Sequence, residues 1–202
     1  VGVNGFFLPS QYIDVASIGY MAAQSGGQVF FHPRFDPVRD GSRVMAEVQR
    51  IVLRETAYNV TLRIRCSPGL RVVKQFGEFH LHGATDIETG TWDADKTFSA
   101  LIRHDGRLEE SREAYFQCAI LYTTATGERR VRCHTLATPV SSVLGNVFRY
   151  ADMDSAVAYY AKEAATLALT KPLKDVRNYL TSKCVAILLA YRRNLSLIHI
   201  SE

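Results

Sequence analysis

The sequence predicts a multidomain α+β chain: an α/β segment, then an antiparallel β-sandwich, then an all-α segment. Three observations predict it. A strand, helix, strand pattern fills about the first thirty residues, a two-residue apolar period takes over near Ala57, and a 3.6-residue period returns after Pro139.

The α/β segment begins with Val1 to Leu8, a short apolar run that ends at Pro9-Ser10 and reads as a buried strand and turn. From Gln11 a helical pattern runs through Val15, Ile18 and Met21, and Gly26-Gly27 supplies a left-handed stop. Gln28 to Phe31 is a second strand, completing a βαβ composition. Val44, Val48, Ile51 and Val52 then mark one face of a further amphipathic helix.

In the β segment, Tyr58, Val60, Leu62, Ile64 and Cys66 alternate with Asn59, Thr61, Arg63 and Arg65. One face is therefore expected to be buried and the other to present two arginines two positions apart. Ser67-Pro68-Gly69 ends the strand. Further strands are predicted over Leu70–Phe76, Glu78–His82 and Thr97–Arg103, with Thr85 to Lys96 a polar connection. Ala114 to Thr138 predicts a hairpin around a four-residue loop, Thr124-Ala125-Thr126-Gly127. Pairing Phe116, Cys118, Ile120 and Tyr122 with Arg129, Val131, Cys133 and Thr135 makes the buried face. That register leaves Gln117, Ala119 and Leu121 beside Arg130, Arg132 and His134, facing out.

In the all-α segment, Asp152 or Asp154 can cap a helix through Ala156, Val157, Tyr160, Ala161, Ala164 and Leu167. Thr170-Lys171-Pro172 ends it. A second helix sets Leu173, Val176, Leu180, Cys184, Ile187 and Tyr191 along one stripe, so the pair is an αα-hairpin.

Composition narrows the function classes. At 202 residues and 47% hydrophobic, the chain can bury a sizeable core. With 24 Lys+Arg against 20 Asp+Glu, its net charge of +4 falls short of a dedicated nucleic-acid binder, while permitting an acidic partner or an anionic membrane surface. Cys66, Cys118, Cys133 and Cys184 are widely spaced and lie in apolar runs, which predicts reduced, buried thiols of a cytosolic protein. No secretory signal opens the chain, and no apolar run approaches the roughly 20 residues of a membrane span. The first residue, Val1, suggests a fragment. Leu195 to Glu202, LSLIHISE, matches the translation of a common transposase sequencing adaptor and is set aside like a tag.

Two constellations could carry chemistry. His80 and His82, at i and i+2 on a strand with Asp86 and Glu88 nearby, could share a metal and would suit a metal-dependent hydrolase; the plainer reading is solvated strand histidines. No nucleophile motif or phosphate-binding glycine loop is present. Arg63 and Arg65 on one strand, and Arg130 and Arg132 on another, could converge to bind the carboxylates of a short acidic peptide, with Leu121 supplying an apolar contact. The alternative is that these arginines only pair with acidic neighbours such as Glu78 or Glu128.

Several strings go further. QYIDVAS at Gln11–Ser17, GGQV at Gly26–Val29, LRIRC at Leu62–Cys66 and GERRVRCHTL at Gly127–Leu136 together resemble the cargo-adaptor subunit of the COPII inner coat. The resemblance covers nearly all of residues 1–194, in order. The His134-Thr135-Leu136 ending is closer to the adaptor than to its GTPase-activating sister subunit. Asp95-Lys96-Thr97 and Tyr191-Arg192-Arg193-Asn194 are closer to one metazoan-type adaptor class.

The resemblance implies that residues 1–55 are the end of an α/β, vWA-like trunk, 56–141 most of the C-terminal part of a β-sandwich and 142–194 the start of a helical domain, with 195–202 the adaptor scar. It implies a zinc finger upstream and no cofactor in this stretch. It further implies a non-enzymatic, cytoplasmic coat protein, peripheral on the endoplasmic reticulum membrane and the COPII vesicle coat. Its partners would be the sister subunit, acidic or short export signals of cargo membrane proteins, an anionic membrane surface and, indirectly, the coat GTPase. Arg63, Arg65 and Leu121 match positions lining the family's signal pocket; Arg130 and Arg132 join them only through the hairpin geometry. A GTPase-activating subunit is the alternative within the coat, although no arginine can be assigned to that mechanism.

Overall fold

The computed structural model describes residues 1–83 and 85–195, so the tract set aside as a scar lies, beyond Leu195, outside the described residues. The chain forms two compact units that interleave along the sequence. The first comprises Val1–Cys66, Glu78–Phe98 and Phe116–Leu136; the second comprises Ser67–Gly77, Ser99–Tyr115 and the chain from Ala137 onward.

The first unit opens as a βαβ motif. Strand β1 (Gly5–Phe7) pairs in parallel with β2 (Val29–Phe31), and helix α1 (Val15–Ser25) makes the connection. The helix starts later than Gln11 because Asp14 is its cap, accepting the Ser17 N–H at 3.1 Å. It stops where predicted, at Gly26 in the left-handed region with φ 77°. A Cβ there would sit 2.0 Å from Thr89 Oγ1, so only glycine fits. Helix α2 (Pro37–Leu53) is capped by Asp36, which accepts the N–H groups of Val38 and Arg39, each at 2.9 Å. Val44 and Ile51 on its apolar face are half-buried, whereas Val52 stays exposed.

In chain order the antiparallel strands are β3 (Thr56–Cys66), β4 (Leu70–Phe76), β5 (His80–His82), β6 (Asp86–Asp93), β7 (Ser99–His104), β8 (Glu113–Thr123) and β9 (Arg129–Pro139). Five of them form one sheet in the order β5-β6-β3-β8-β9. Strand β6 corrects the reading of Thr85 to Lys96 as a polar connection. Its polarity hid it, yet Ile87 and Thr89 alternate inward and are buried, and threonine is a good strand former. The core of the unit is Leu62, Ile87 and Phe79, with Ile64, Trp92, Phe98, Cys118 and Ile120 packed against it. Leu62 and Ile87 are fully buried, each contributing about 1.5–3 kcal/mol by area.

Two bulges change which residues face this core. In β3 the register with β8 slips between Tyr58 and Thr61, where Asn59 adopts φ 48°. Val60 and Leu62 stay buried, but Tyr58, predicted on the same face, is 43% exposed. In the β8–β9 hairpin, Gly127 N–H donates to the Thr124 carbonyl at 3.0 Å and Thr124 N–H to the Glu128 carbonyl at 2.9 Å. With Gly127 at φ 87°, this is a three-residue loop closed by a glycine bulge, not a four-residue loop.

Counting outward from those bonds puts Thr123 opposite Arg129, Tyr122 opposite Arg130 and Leu121 opposite Val131. Arg129 Nη1 accordingly donates to Thr123 Oγ1 at 2.9 Å, and at the far end Thr138 Oγ1 donates to the Ala114 carbonyl at 3.4 Å. The predicted pairing of Phe116, Cys118, Ile120 and Tyr122 with Arg129, Val131, Cys133 and Thr135 is therefore displaced by one residue. Val131, expected inside, is 66% exposed.

A charged cluster ties α2 to the end of β6. Arg54, its side chain 9% exposed, meets Asp93 at 2.8 Å and Asp95 at 2.9 Å, and Arg50 meets Asp95 at 2.8 Å. Lys96 Nζ donates to the Gly27 carbonyl at 3.2 Å and pairs with Glu78. Glu78, expected as a partner for the strand arginines, is thus taken by a lysine.

The second unit contains the β4–β7 ribbon and three helices, α3 (Leu144–Arg149), α4 (Met153–Ala168) and α5 (Leu173–Leu195). Asp152 is the cap of α4, accepting the Asp154 N–H at 3.2 Å. The short α3 lay outside the sequence expectation; Phe148 sets its ring edge-on to Tyr191 of α5 at 5.5 Å. A buried carboxylate joins ribbon and helices: Glu163 of α4 accepts the Tyr179 hydroxyl of α5 at 2.9 Å and lies 3.4 Å from Lys74 Nζ of β4. Beside it Tyr159 meets Phe76 edge-on at 5.5 Å. Burial, then the Glu163 charge, pushes the Tyr159 hydroxyl up to about 12.

All four cysteines are free, but the expectation that they are buried is corrected: Cys133 and Cys184 are exposed, and Cys66 and Cys118 are half-buried. No described helix is long and apolar enough to cross a membrane.

Candidate functional site

Alternation on β3 dictates the site. Leu62 and Ile64 turn to the core, so Thr61, Arg63 and Arg65 project from the opposite face of the sheet. Their partners on β8 follow from the register: Thr61 lies beside Leu121, Arg63 beside Ala119 and Arg65 beside Gln117. On the other side Arg63 lies beside Asp86 of β6 and Thr61 beside Glu88. The structure thus gathers Arg63, Arg65 and Leu121 on one outward face. Leu121, 36% exposed, and Val131 form its apolar centre.

The electrostatics of the two arginines differ. Arg63 donates through Nε and Nη2 to both carboxylate oxygens of Asp86, a bidentate pair. The pair holds the Asp86 carboxyl below the usual carboxylate range and raises the Arg63 guanidinium above its ordinary value. Thr85 Oγ1 also donates to Asp86 Oδ1 at 3.2 Å. Arg65 is exposed and, among the described residues, forms no ion pair.

Arg130 and Arg132 do not join this face. The glycine bulge at Gly127 sets Arg130 opposite Tyr122 and Arg132 opposite Ile120, on the face to which Ile120 turns. Arg130 is also paired with Glu128, which raises its guanidinium, with Tyr122 a smaller contributor. The proposed convergence of all four arginines is therefore corrected: two gather and two turn away, because a loop one residue shorter than predicted flips every side chain beyond it relative to the partner strand.

His80 and His82 lie beside Glu88 and Asp86, respectively, on the antiparallel β5–β6 pair. The Asp86 carboxylate is occupied by Arg63, and no group of three His, Cys, Asp or Glu among the described residues could hold a metal ion. Asp86, which the sequence offers only as a carboxylate near the two histidines, is the partner of Arg63. Its pairing with Arg63 depends on recognising β6 as a strand.

Two clefts are lined by other residues. One of about 760 Å³ lies among the Ser67–Gly69 and Asp105–Tyr115 loops, and one of about 330 Å³ lies between Pro9–Ile13 and Phe31–Arg34. The arginine face is instead an open strand surface, suited to an extended chain rather than an enclosed small molecule.

An α/β segment, an antiparallel sheet with a mixed polar and apolar outer face, and a helical segment make this a multidomain α+β chain. Comparison with known proteins agrees. The Sec23/Sec24 trunk domain matches residues 1–52, the Sec23/Sec24 beta-sandwich domain residues 57–141 and the Sec23/Sec24 helical domain residues 152–201. The chain is 36% identical over 192 residues to protein transport protein Sec24C of Homo sapiens, covering 95% of this chain and 18% of that protein. It is 37% identical over 192 residues to protein transport protein SEC24 A of Arabidopsis thaliana, again covering 95% of this chain and 18% of the relative. The crystal structure of the human COPII-coat protein Sec24c superposes with a TM-score of 0.93 at 36% identity, over 96% of this chain and 26% of that one.

The chain belongs to the Sec23/Sec24 family and carries segments of its trunk, beta-sandwich and helical domains. It spans under a fifth of the length of these curated relatives.

Proposed function

We propose that the chain is part of a non-enzymatic cargo adaptor of the COPII coat, acting in transport from the endoplasmic reticulum to the Golgi. Its outward sheet face binds short acidic export signals: Arg65 and Arg63 meet signal carboxylates and Leu121, beside Val131, receives an apolar side chain. The observation that carries this reading is the gathering of Arg65, which forms no ion pair among the described residues, with Arg63 and the exposed Leu121 on one open strand face, in a chain whose relatives are named protein transport proteins. Guanidinium groups recognise carboxylates through paired donors, and an open sheet surface accommodates an extended peptide.

The chain would act from the cytosolic side of the endoplasmic reticulum membrane, with the sister coat subunit as partner, the coat GTPase engaged indirectly and an anionic bilayer beneath. The test is capture of acidic cargo tails by the protein carrying Arg63→Ala with Arg65→Ala. Capture should fall while binding of the sister subunit persists. Unchanged capture removes these residues from the site.

A further inference from the structure

We propose that Asp86 is a built-in competitor for the signal carboxylate at Arg63, and so sets how much negative charge a ligand must carry to bind. The inference rests on the reading of this face as a site for acidic peptides. Asp86 stands directly across from Arg63 in the β3–β6 register and fills two of the guanidinium donors, the same fork a ligand carboxylate would use. Thr85 Oγ1 braces the carboxylate, and the Asp86 side chain is only 19% exposed against 47% for Arg63. The anion is thus fixed at the sheet while the cation remains reachable.

Arg65, two positions along, faces Gln117 and has no acidic partner among the described residues. A ligand with one carboxylate is therefore anchored at Arg65 alone. A second carboxylate engages Arg63 only by sharing it with Asp86 or displacing it, so its gain is smaller than that of the first. The face discriminates by charge count, and Asp86 sets the threshold.

The probe is a hexapeptide with blocked termini and two carboxylate side chains, beside versions with one carboxylate and with none, each titrated against the complete chain. Asp86→Asn is expected to tighten the two-carboxylate peptide about two- to fivefold, the range of an exposed ion pair, and to affect the one-carboxylate peptide less. The gain should vanish when Arg63→Ala is added. Asp86→Ala should act in the same direction, which guards against a residual hydrogen bond from asparagine. Unchanged or weaker binding in both Asp86 variants, with the fold intact by circular dichroism, overturns the competitor. Peptide binding unaffected by Arg65→Ala overturns the site reading instead. No binding by the parent chain and none gained on Asp86→Asn overturns both.

Discussion

Glu163 offers the most stringent test of how the second unit is held together. Its carboxylate is 6% exposed, accepts the Tyr179 hydroxyl at 2.9 Å and lies 3.4 Å from Lys74 Nζ, with Tyr159 adjacent. Glu163→Ala strips a half-buried hydroxyl of a charged acceptor and opens a small void between α4 and α5. Leaving such a donor unsatisfied costs about 1–3 kcal/mol. The Lys74 contact adds at most about 1 kcal/mol, because that side chain is 52% exposed and screened by water. The expected loss is therefore about 1–4 kcal/mol, whereas Tyr179→Phe, which removes the donor but leaves the carboxylate to Lys74, should cost about 1–2 kcal/mol. Urea unfolding followed by circular dichroism at the helical band measures both. A Glu163→Ala loss below about 0.5 kcal/mol would refute the view that this carboxylate joins ribbon and helices.

Three further outcomes are expected. Arg54→Ala should destabilise the first unit by about 3 kcal/mol in urea unfolding, because it leaves Asp93, 14% exposed, without its cation. Gly127→Val should cost about 1–2 kcal/mol, because a β-branched residue is strained at φ 87°, and amide exchange should rise at the β8–β9 turn. Above pH 10 the protein should lose stability: the folded state holds the Tyr159 proton to about 12, so its contribution is complete below the unfolded value and fades as pH rises through the folded one. Tyr159→Phe should flatten that part of a stability-against-pH curve.

Much of the fold was legible because it rests on local rules. Asp152, one of the two caps the sequence offers for α4, satisfies first amides of that helix, and Gly26 stops α1 through a backbone angle other residues resist, whereas the caps at Asp14 and Asp36 obey the same rule but emerge only with the structure. Strand β4 runs over the predicted residues, as alternation with a glycine break requires. Strand β6 was not legible, because Thr, Glu, Gly and Asp dominate it and its burial comes from neighbours distant in sequence.

The site was half legible for a related reason. Alternation along β3 placed Arg63 and Arg65 on one face without any knowledge of the partner strands. Placing Arg130 and Arg132 required counting through a turn, and the bulge at Gly127 moved the count by one. Asp86 could not be seen as the partner of Arg63 while its strand read as a connection. Pairings across strands are decided by register, which sequence periodicity does not carry.

The central claim, that one outward sheet face reads acidic signals, is tested most directly by titrating a fluorescent two-carboxylate signal peptide against the chain and two double variants. Arg63→Ala with Arg65→Ala should weaken binding about tenfold or more, as loss of two charge-assisted contacts implies, and Arg130→Ala with Arg132→Ala should leave it within about twofold. Equal binding by the first variant, or a loss confined to the second, would contradict the account.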